Sequence, residues 1–301
     1  LSGSILGELC RDYLPRGLVN IVHGRGAPAG DALVRHPLIR RIGFTGSVPT
    51  GLAIQRAAAA NSVKHVTLEL GGKNPFVVFP DADLDRVVET AVSGMNFAWA
   101  GQSCGSTSRL LLHELVHDEV VDRVAARMAA LRVGDPLDPH SEMGPVNSAR
   151  QHARVLELID SARREGARLV TGGSRPPGAA FEKGYWVQPT LFADVTPTMR
   201  LAREEVFGPV VCALKFRDEA EAVALANDSE LGLTAAVWTR ELPLAMRMIR
   251  QIEAGTVWIN TAGQHFVGTP FGGWKDSGLG GEECLEELLS YSRLKAVHVL
   301  S

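Results

Sequence analysis

The chain has 301 residues, 45% of them hydrophobic and 22% charged, which is the make-up of a globular protein with room for two domains of about 100–200 residues each. Its 31 basic and 34 acidic side chains leave a net charge of −3, so no electrostatic case exists for nucleic acid or for an anionic lipid surface. No apolar run approaches the roughly 18 residues of a membrane span, and four dispersed cysteines without a CxxC pair suit a reducing, cytoplasmic compartment.

In chain order the pattern is helix and strand in alternation. "LSGSILGELCRDYL" carries apolar residues at helical spacing, so the first residues read as an amphipathic helix already under way, as in a fragment. "GLVNIVHG" is expected as a buried strand, "DALVRHP" as a short helix and "IRRIGFTGS" as a strand ending in a turn. A helix "VPTGLAIQRAAAA" and a strand "KHVTLELGG" follow. After Gly71-Gly72 the alternation resumes: strand "NPFVVFP", helix "ADLDRVVETAVSGMNFA", strand "SRLLLHE" and helix "HDEVVDRVAARMAAL". A charged helix from about Ser148 to Gly166 precedes the strand candidates "ARLVTGG", "VVCALKF", "LTAAVWT" and "GTVWIN". Short apolar strands alternating with helices imply α/β architecture, with parallel βαβ units covered on both faces.

Several segments carry candidate chemistry. In "GQSCGSTSRLLL", Cys104 sits among small residues; it is either a small buried hydrophobe or a thiol nucleophile with space for a carbonyl to approach. "FTGSVPTG" leaves a strand at Phe44, turns at Gly46-Ser47 and enters a helix near Gly51. That is a plain βα turn or a helix N-terminus offering N–H groups to a phosphate. Glu69 in "LELGGK" ends an apolar strand, where the carboxyl ends of parallel strands commonly face a ligand crevice. It is a desolvated general base or a solvated carboxylate paired with Lys73. "EEVFGPVV" offers a carboxylate for ribose hydroxyls and an aromatic for a nicotinamide. His113 and His117 match HExxH, but His113 closes a strand and the helical pattern starts near Asp118. The two rings then share no helix face, and no metal is expected.

Taken in order, "GFTGS", "LELGGKNP", "GQSC", "EEVFGPV" and "TPFGGWKDSGLG" resemble the aldehyde dehydrogenase superfamily along essentially the whole chain. The resemblance implies a partial Rossmann-like coenzyme domain (residues 1–71), an α/β catalytic domain with a parallel sheet (72–276) and a C-terminal return used in oligomerisation (277–301). It implies Cys104 as the nucleophile that captures a small-molecule aldehyde, and Glu69 as the base that activates water on the thioacyl-enzyme. Ser47 with Gly46 then contacts the pyrophosphate of NAD or NADP, and Glu205 and Phe207 attend the nicotinamide riboside. Phe44, Gly51 and Leu70 fall among the remaining coenzyme contacts. Glu282 falls where many members carry an acidic residue linked to proton relay, although Gly281 stands where they usually show Arg. The expected assembly is a homo-oligomer. Members also carry a long preceding region that holds an oxyanion-hole asparagine and a lysine for the adenosine ribose. The alternative expectation is therefore a truncated, catalytically incompetent chain with a structural role.

Overall fold

In a computed structural model that describes residues 2–300, the chain divides into two compact units. The first comprises Leu1–Phe44 and Pro49–Val66, the second Thr45–Val48 and Thr67–Ser301.

The first unit contains helices α1 (Ser2–Tyr13) and α2 (Asp31–Arg35), strand β1 (Arg41–Thr45), helix α3 (Val48–Ala59) and the start of strand β2 (His65–Glu69). Its small core is Val34, Ala57 and Ala58, backed by Ile42, Ile54 and Val66. The expected strand "GLVNIVHG" is not formed: residues 17–24 run exposed and, among the described residues, pair with no strand. Apolar periodicity alone does not make a strand, because its N–H and C=O groups need a ladder partner. Helix α3 starts at Val48, three residues before Gly51, so Gly51 is a buried residue of the helix body rather than its entrance.

The second unit is built on a seven-stranded sheet of order β10-β9-β3-β4-β7-β6-β5. Its chain order is β3 (Pro75–Val78), α4 (Leu84–Ser93), β4 (Arg109–His113), α5 (His117–Ala129), α6 (Ala149–Arg164), β5 (Arg168–Thr171), β6 (Thr190–Ala193), α7 (Arg200–Arg203), β7 (Val210–Phe216) and α8 (Glu219–Asn227). Then come β8 (Leu231–Gly232), β9 (Thr234–Trp238), α9 (Leu242–Gln251), β10 (Thr256–Ile259), β11 (Trp274–Lys275), β12 (Gly278–Leu279) and α10 (Leu285–Ser290). All pairings in the sheet are parallel except β5, which runs antiparallel to β6 at the edge. The central strands are apolar throughout, with Phe76, Val77, Val78, Leu110, Leu111 and Leu112 fully buried, as a sheet covered on both faces requires. Helix α4 stops at Gly94, short of the expected "MNFA", and a 3-10 turn at Phe97–Trp99 follows between left-handed Asn96 and Ala100.

From β3 the chain crosses to β4 on one side, and from β9 to β10 on the other, which right-handed crossovers turn into a switch point between β3 and β9. The carboxyl ends there are closed. Asp81 accepts the Thr239 hydroxyl at 2.8 Å and the Arg240 N–H at 2.6 Å, and Asn260 bonds the backbone of Thr239 in both directions. The open loops lie at the amino ends instead, ahead of β3, β4, β7 and β9. No helix among the described residues is long and apolar enough to cross a membrane.

Candidate active site

Four segments of the second unit meet at these amino ends: 69–74 ahead of β3, 101–108 ahead of β4, 204–209 ahead of β7, and Leu233 leading into β9. Glu69 ends β2, as expected, but the crevice it serves is at the amino side of the main sheet. It is 3% exposed, and neither carboxyl oxygen has a hydrogen-bond partner. Burial first, then the nearby carboxyls of Glu282, Glu283 and Glu287, push its pKa up to about 8. The pairing with Lys73 is overturned. Lys73 is itself buried, its Nζ has no hydrogen-bond partner, and burial pulls its pKa below the usual lysine range.

Cys104 is half-buried. Burial pushes its thiol up, with Glu205 and Glu69 adding to the shift, while the N–H groups of Gly105 and of Cys104 itself oppose it. Glu205 is held by the Gly72 N–H at 3.1 Å, and its pKa is raised by burial against the pull of that bond and of Lys73. Phe207 adopts a left-handed backbone (φ 50°), with its carbonyl and that of Val206 fixed by Gln151 Nε2 at 3.0 and 2.7 Å. Glu205 and Phe207 share a small recess with Gly72, Gly101, Ser103 and Ser106. Glu282 bridges to Phe271 through both backbone groups (2.6 and 3.0 Å), which places its carboxyl within electrostatic reach of Glu69.

Of the coenzyme candidates, Gly46 donates its N–H to the Glu69 carbonyl at 3.0 Å, and Ser47 is exposed just before α3. Leu70 is buried, with its N–H on the Ser277 carbonyl at 2.7 Å. In the first unit, Phe44 lines an apolar cleft of about 550 Å³ together with Ala27, Val34, Ala53 and Ile54, whereas Gly51 is not part of that lining. His113 closes β4 and His117 opens α5. Among the described residues no group of three or more His, Cys, Asp and Glu side chains is placed to hold a metal ion.

Sequence reasoning passed over three buried polar residues beneath this site, Asn74, Arg109 and Ser277, and assigned a fourth, Lys73, to an ion pair that is not formed. Arg109 donates to the carbonyls of Lys73, Leu225 and Ala226 (3.0, 2.8 and 2.8 Å). Ser277 Oγ accepts the Gly232 N–H at 2.9 Å and donates to the Gly71 carbonyl at 2.6 Å. Lys73 and Asn74 complete the set. Three of them share one visible signal, polar residues at the entry to apolar strands in Lys73-Asn74 and Ser106 to Arg109, and Ser277 has none.

The sequence model of the Aldehyde dehydrogenase family matches residues 1–297. This chain belongs to the aldehyde dehydrogenase family. The family's aldehyde dehydrogenase tropH of Talaromyces stipitatus is 49% identical over 298 residues, covering 98% of this chain and 58% of that protein. The betaine aldehyde dehydrogenase of Brucella melitensis biotype 2 is 46% identical over 300 residues, covering 99% of this chain and 61% of the relative. Among solved aldehyde dehydrogenases, the betaine aldehyde dehydrogenase of Staphylococcus aureus in complex with NAD+ superposes with a TM-score of 0.93 at 37% identity, over 97% of this chain and 59% of that one. A putative aldehyde dehydrogenase from Burkholderia cenocepacia gives 0.92 at 42% identity, over 97% and 59%. The chain thus spans about three-fifths of the length of these family members.

Proposed function

We propose that this chain carries the catalytic machinery for oxidising an aldehyde to a carboxylate with NAD or NADP. The observation that carries the reading is the meeting of a half-buried thiol, Cys104, with a buried carboxyl, Glu69, and a half-buried one, Glu205, delivered by three separate chain segments to one edge of the sheet.

The residues present fit a dinucleotide. Gly71 lets the Glu205 carboxyl pack against its backbone and Gly72 donates it an N–H, and the carboxylate seated there would hold the nicotinamide ribose with Phe207 against the ring. In the second unit Gly46 and Ser47 would meet the pyrophosphate ahead of α3, with Leu70 as a backing contact. The 550 Å³ cleft lined by Phe44 is within the size range of small-molecule sites. When bound, the coenzyme supplies the hydride acceptor.

Cys104 Sγ, once deprotonated, forms a bond to the aldehyde carbon, and the C=O electrons move to oxygen, where the Cys104 N–H is a donor. Departure of the hydride leaves a thioester on Cys104. Glu69 then takes one proton from water, the water oxygen attacks the acyl carbon, and the C–S bond breaks to release the thiolate and the carboxylic acid, which gives its own proton to solvent and leaves as the carboxylate. A carboxyl titrating near 8 is well suited to this, since a general base works best with a pKa close to the operating pH. Glu282, whose carboxyl acts electrostatically on Glu69, would pass that proton outward. In this reading residues 1–71 are coenzyme-binding, 72–276 catalytic and 277–301 an oligomerisation return, in a cytoplasmic homo-oligomer.

A second reading, a catalytically silent chain with a structural role, is favoured by the exposure of Ile5, Leu6 and Leu9 on α1 and of Leu294, Val297 and Val299 near the C-terminus. Coenzyme reduction by the 301-residue chain, followed with a panel of aldehydes beside Cys104→Ala, separates the two. Signal that disappears in the variant supports catalysis. Silence from a folded sample of both proteins overturns it in favour of the structural role.

A further inference from the structure

We infer that Asn74 is a positioning residue for the Cys104 turn, its carboxamide fixing the peptide that offers an N–H to the thiol; this rests on the reading of Cys104 as nucleophile. Asn74 is 1% exposed at the entry to β3. Its Nδ2 donates to the carbonyls of Cys104 and Ser106 at 2.7 and 2.9 Å, and its Oδ1 accepts the Thr234 N–H at 3.0 Å. The amide orientation is fixed by these partners, because flipping it would set Oδ1 against two carbonyl oxygens. One side chain therefore ties the entry of β3, the turn after the nucleophile and the entry of β9.

The consequence follows from peptide geometry. In a trans peptide the C=O and the next N–H point in opposite directions. With the Cys104 carbonyl drawn toward Asn74, the Gly105 N–H is turned away from it, to the side from which it favours the thiolate of Cys104. Ser106, the other carbonyl held by Asn74, closes the turn through its N–H on the Ser103 carbonyl at 3.2 Å. Without the carboxamide, a part-buried and a buried carbonyl lose their donor and the 104–105 peptide is free to rotate.

The test is the pH profile of iodoacetamide alkylation at Cys104 in the 301-residue chain, read by peptide mass spectrometry for the parent, Asn74→Ala and the volume-preserving Asn74→Leu. Cys212, fully buried in β7, reports folding in the same samples through its protection. The expected result is Cys104 alkylation about tenfold slower at every pH below its midpoint, and a midpoint about one pH unit higher, the size of one hydrogen bond to a charged group, with Cys212 still protected. An unchanged or faster Cys104 rate with Cys212 protected overturns the proposal. So does loss of Cys212 protection in both variants, which would make Asn74 a general folding residue. The readout needs neither coenzyme nor aldehyde, so its failure and a failure of the oxidation assay are separate results.

Discussion

The carboxylate of Glu205 accepts the N–H of Gly72 at 3.1 Å although 133 residues separate them. The neighbouring Gly71 makes this possible, because a Cβ added there would overlap the Glu205 carboxyl. Gly71→Ala is expected to force the Glu205 carboxyl out of its place, at less than the about 1–3 kcal/mol of an overpacked core, because the end of a flexible side chain can swing aside. Coenzyme affinity should fall with that displacement. Thermal unfolding and a coenzyme titration check both, and a parental coenzyme affinity would show that the seat of Glu205 is unimportant to binding.

Glu69 predicts how stability changes with pH. Its carboxyl titrates near 8 in the folded chain against an ordinary value of 4.5, so the native state binds this proton more tightly. The stability it contributes is complete below about 4.5 and is lost as pH rises through about 8. Glu69→Gln, neutral at every pH, should remove that decline. Denaturant unfolding at about pH 5 and about pH 9 should show a smaller difference in the variant than in the parent, by an amount on the order of a few kcal/mol. Equal pH dependence in both would mean that Glu69 is more solvated than its burial implies. In turnover, the limb rising through about 8 should vanish with the same substitution.

The pH-active groups were legible in the sequence because each sits in a short motif: Glu69 before two glycines, Cys104 among small residues, Glu205 before Phe-Gly-Pro. The polar floor beneath them was not. Asn74 meets Thr234 across 160 residues and Ser277 meets Gly71 across 206, and no local pattern encodes a partner that far away. The fold divides similarly. The apolar runs of β3, β4, β7, β9 and β10 announce buried parallel strands, whereas residues 17–24 have the same composition and no ladder partner among the described residues. Cys104, Glu69 and Glu205 gather at the amino ends of the sheet, while hydrogen bonds from Asp81 and Asn260 tie the carboxyl ends of β3, β9 and β10 together.

Ser277 should be among the costliest small substitutions in the chain. It is fully buried, and its Oγ serves both the Gly232 N–H and the Gly71 carbonyl. Ser277→Ala leaves both backbone groups without that partner at a cost of about 1–3 kcal/mol, measured by chemical denaturation. A change within about 0.5 kcal/mol, typical of surface positions, would sink the assignment. The loss should also loosen Gly71 and with it the seat of Glu205, so coenzyme affinity should decline in parallel with stability.

Gly101 joins the Cys104 segment to the segment that carries Glu205 and Phe207. Its φ of +68° follows a left-handed Ala100, and its N–H reaches back to the Asn96 carbonyl at 3.1 Å. An added Cβ would run into the backbone carbonyl of Gly208, which no rotamer change can relieve. Gly101→Ala therefore meets two penalties, about 1–2 kcal/mol for an L-residue in the left-handed region and the clash itself. The clash is with fixed backbone, so the strain is expected to pass into the 101–104 segment while the apolar sheet beneath holds. Circular dichroism should remain close to the parent while turnover falls more than about tenfold, in line with the sensitivity of catalysis to displacements near 1 Å. Parental turnover would show that the Cys104 and Glu205 segments move independently, and that their shared edge at Gly101 has no part in aligning them.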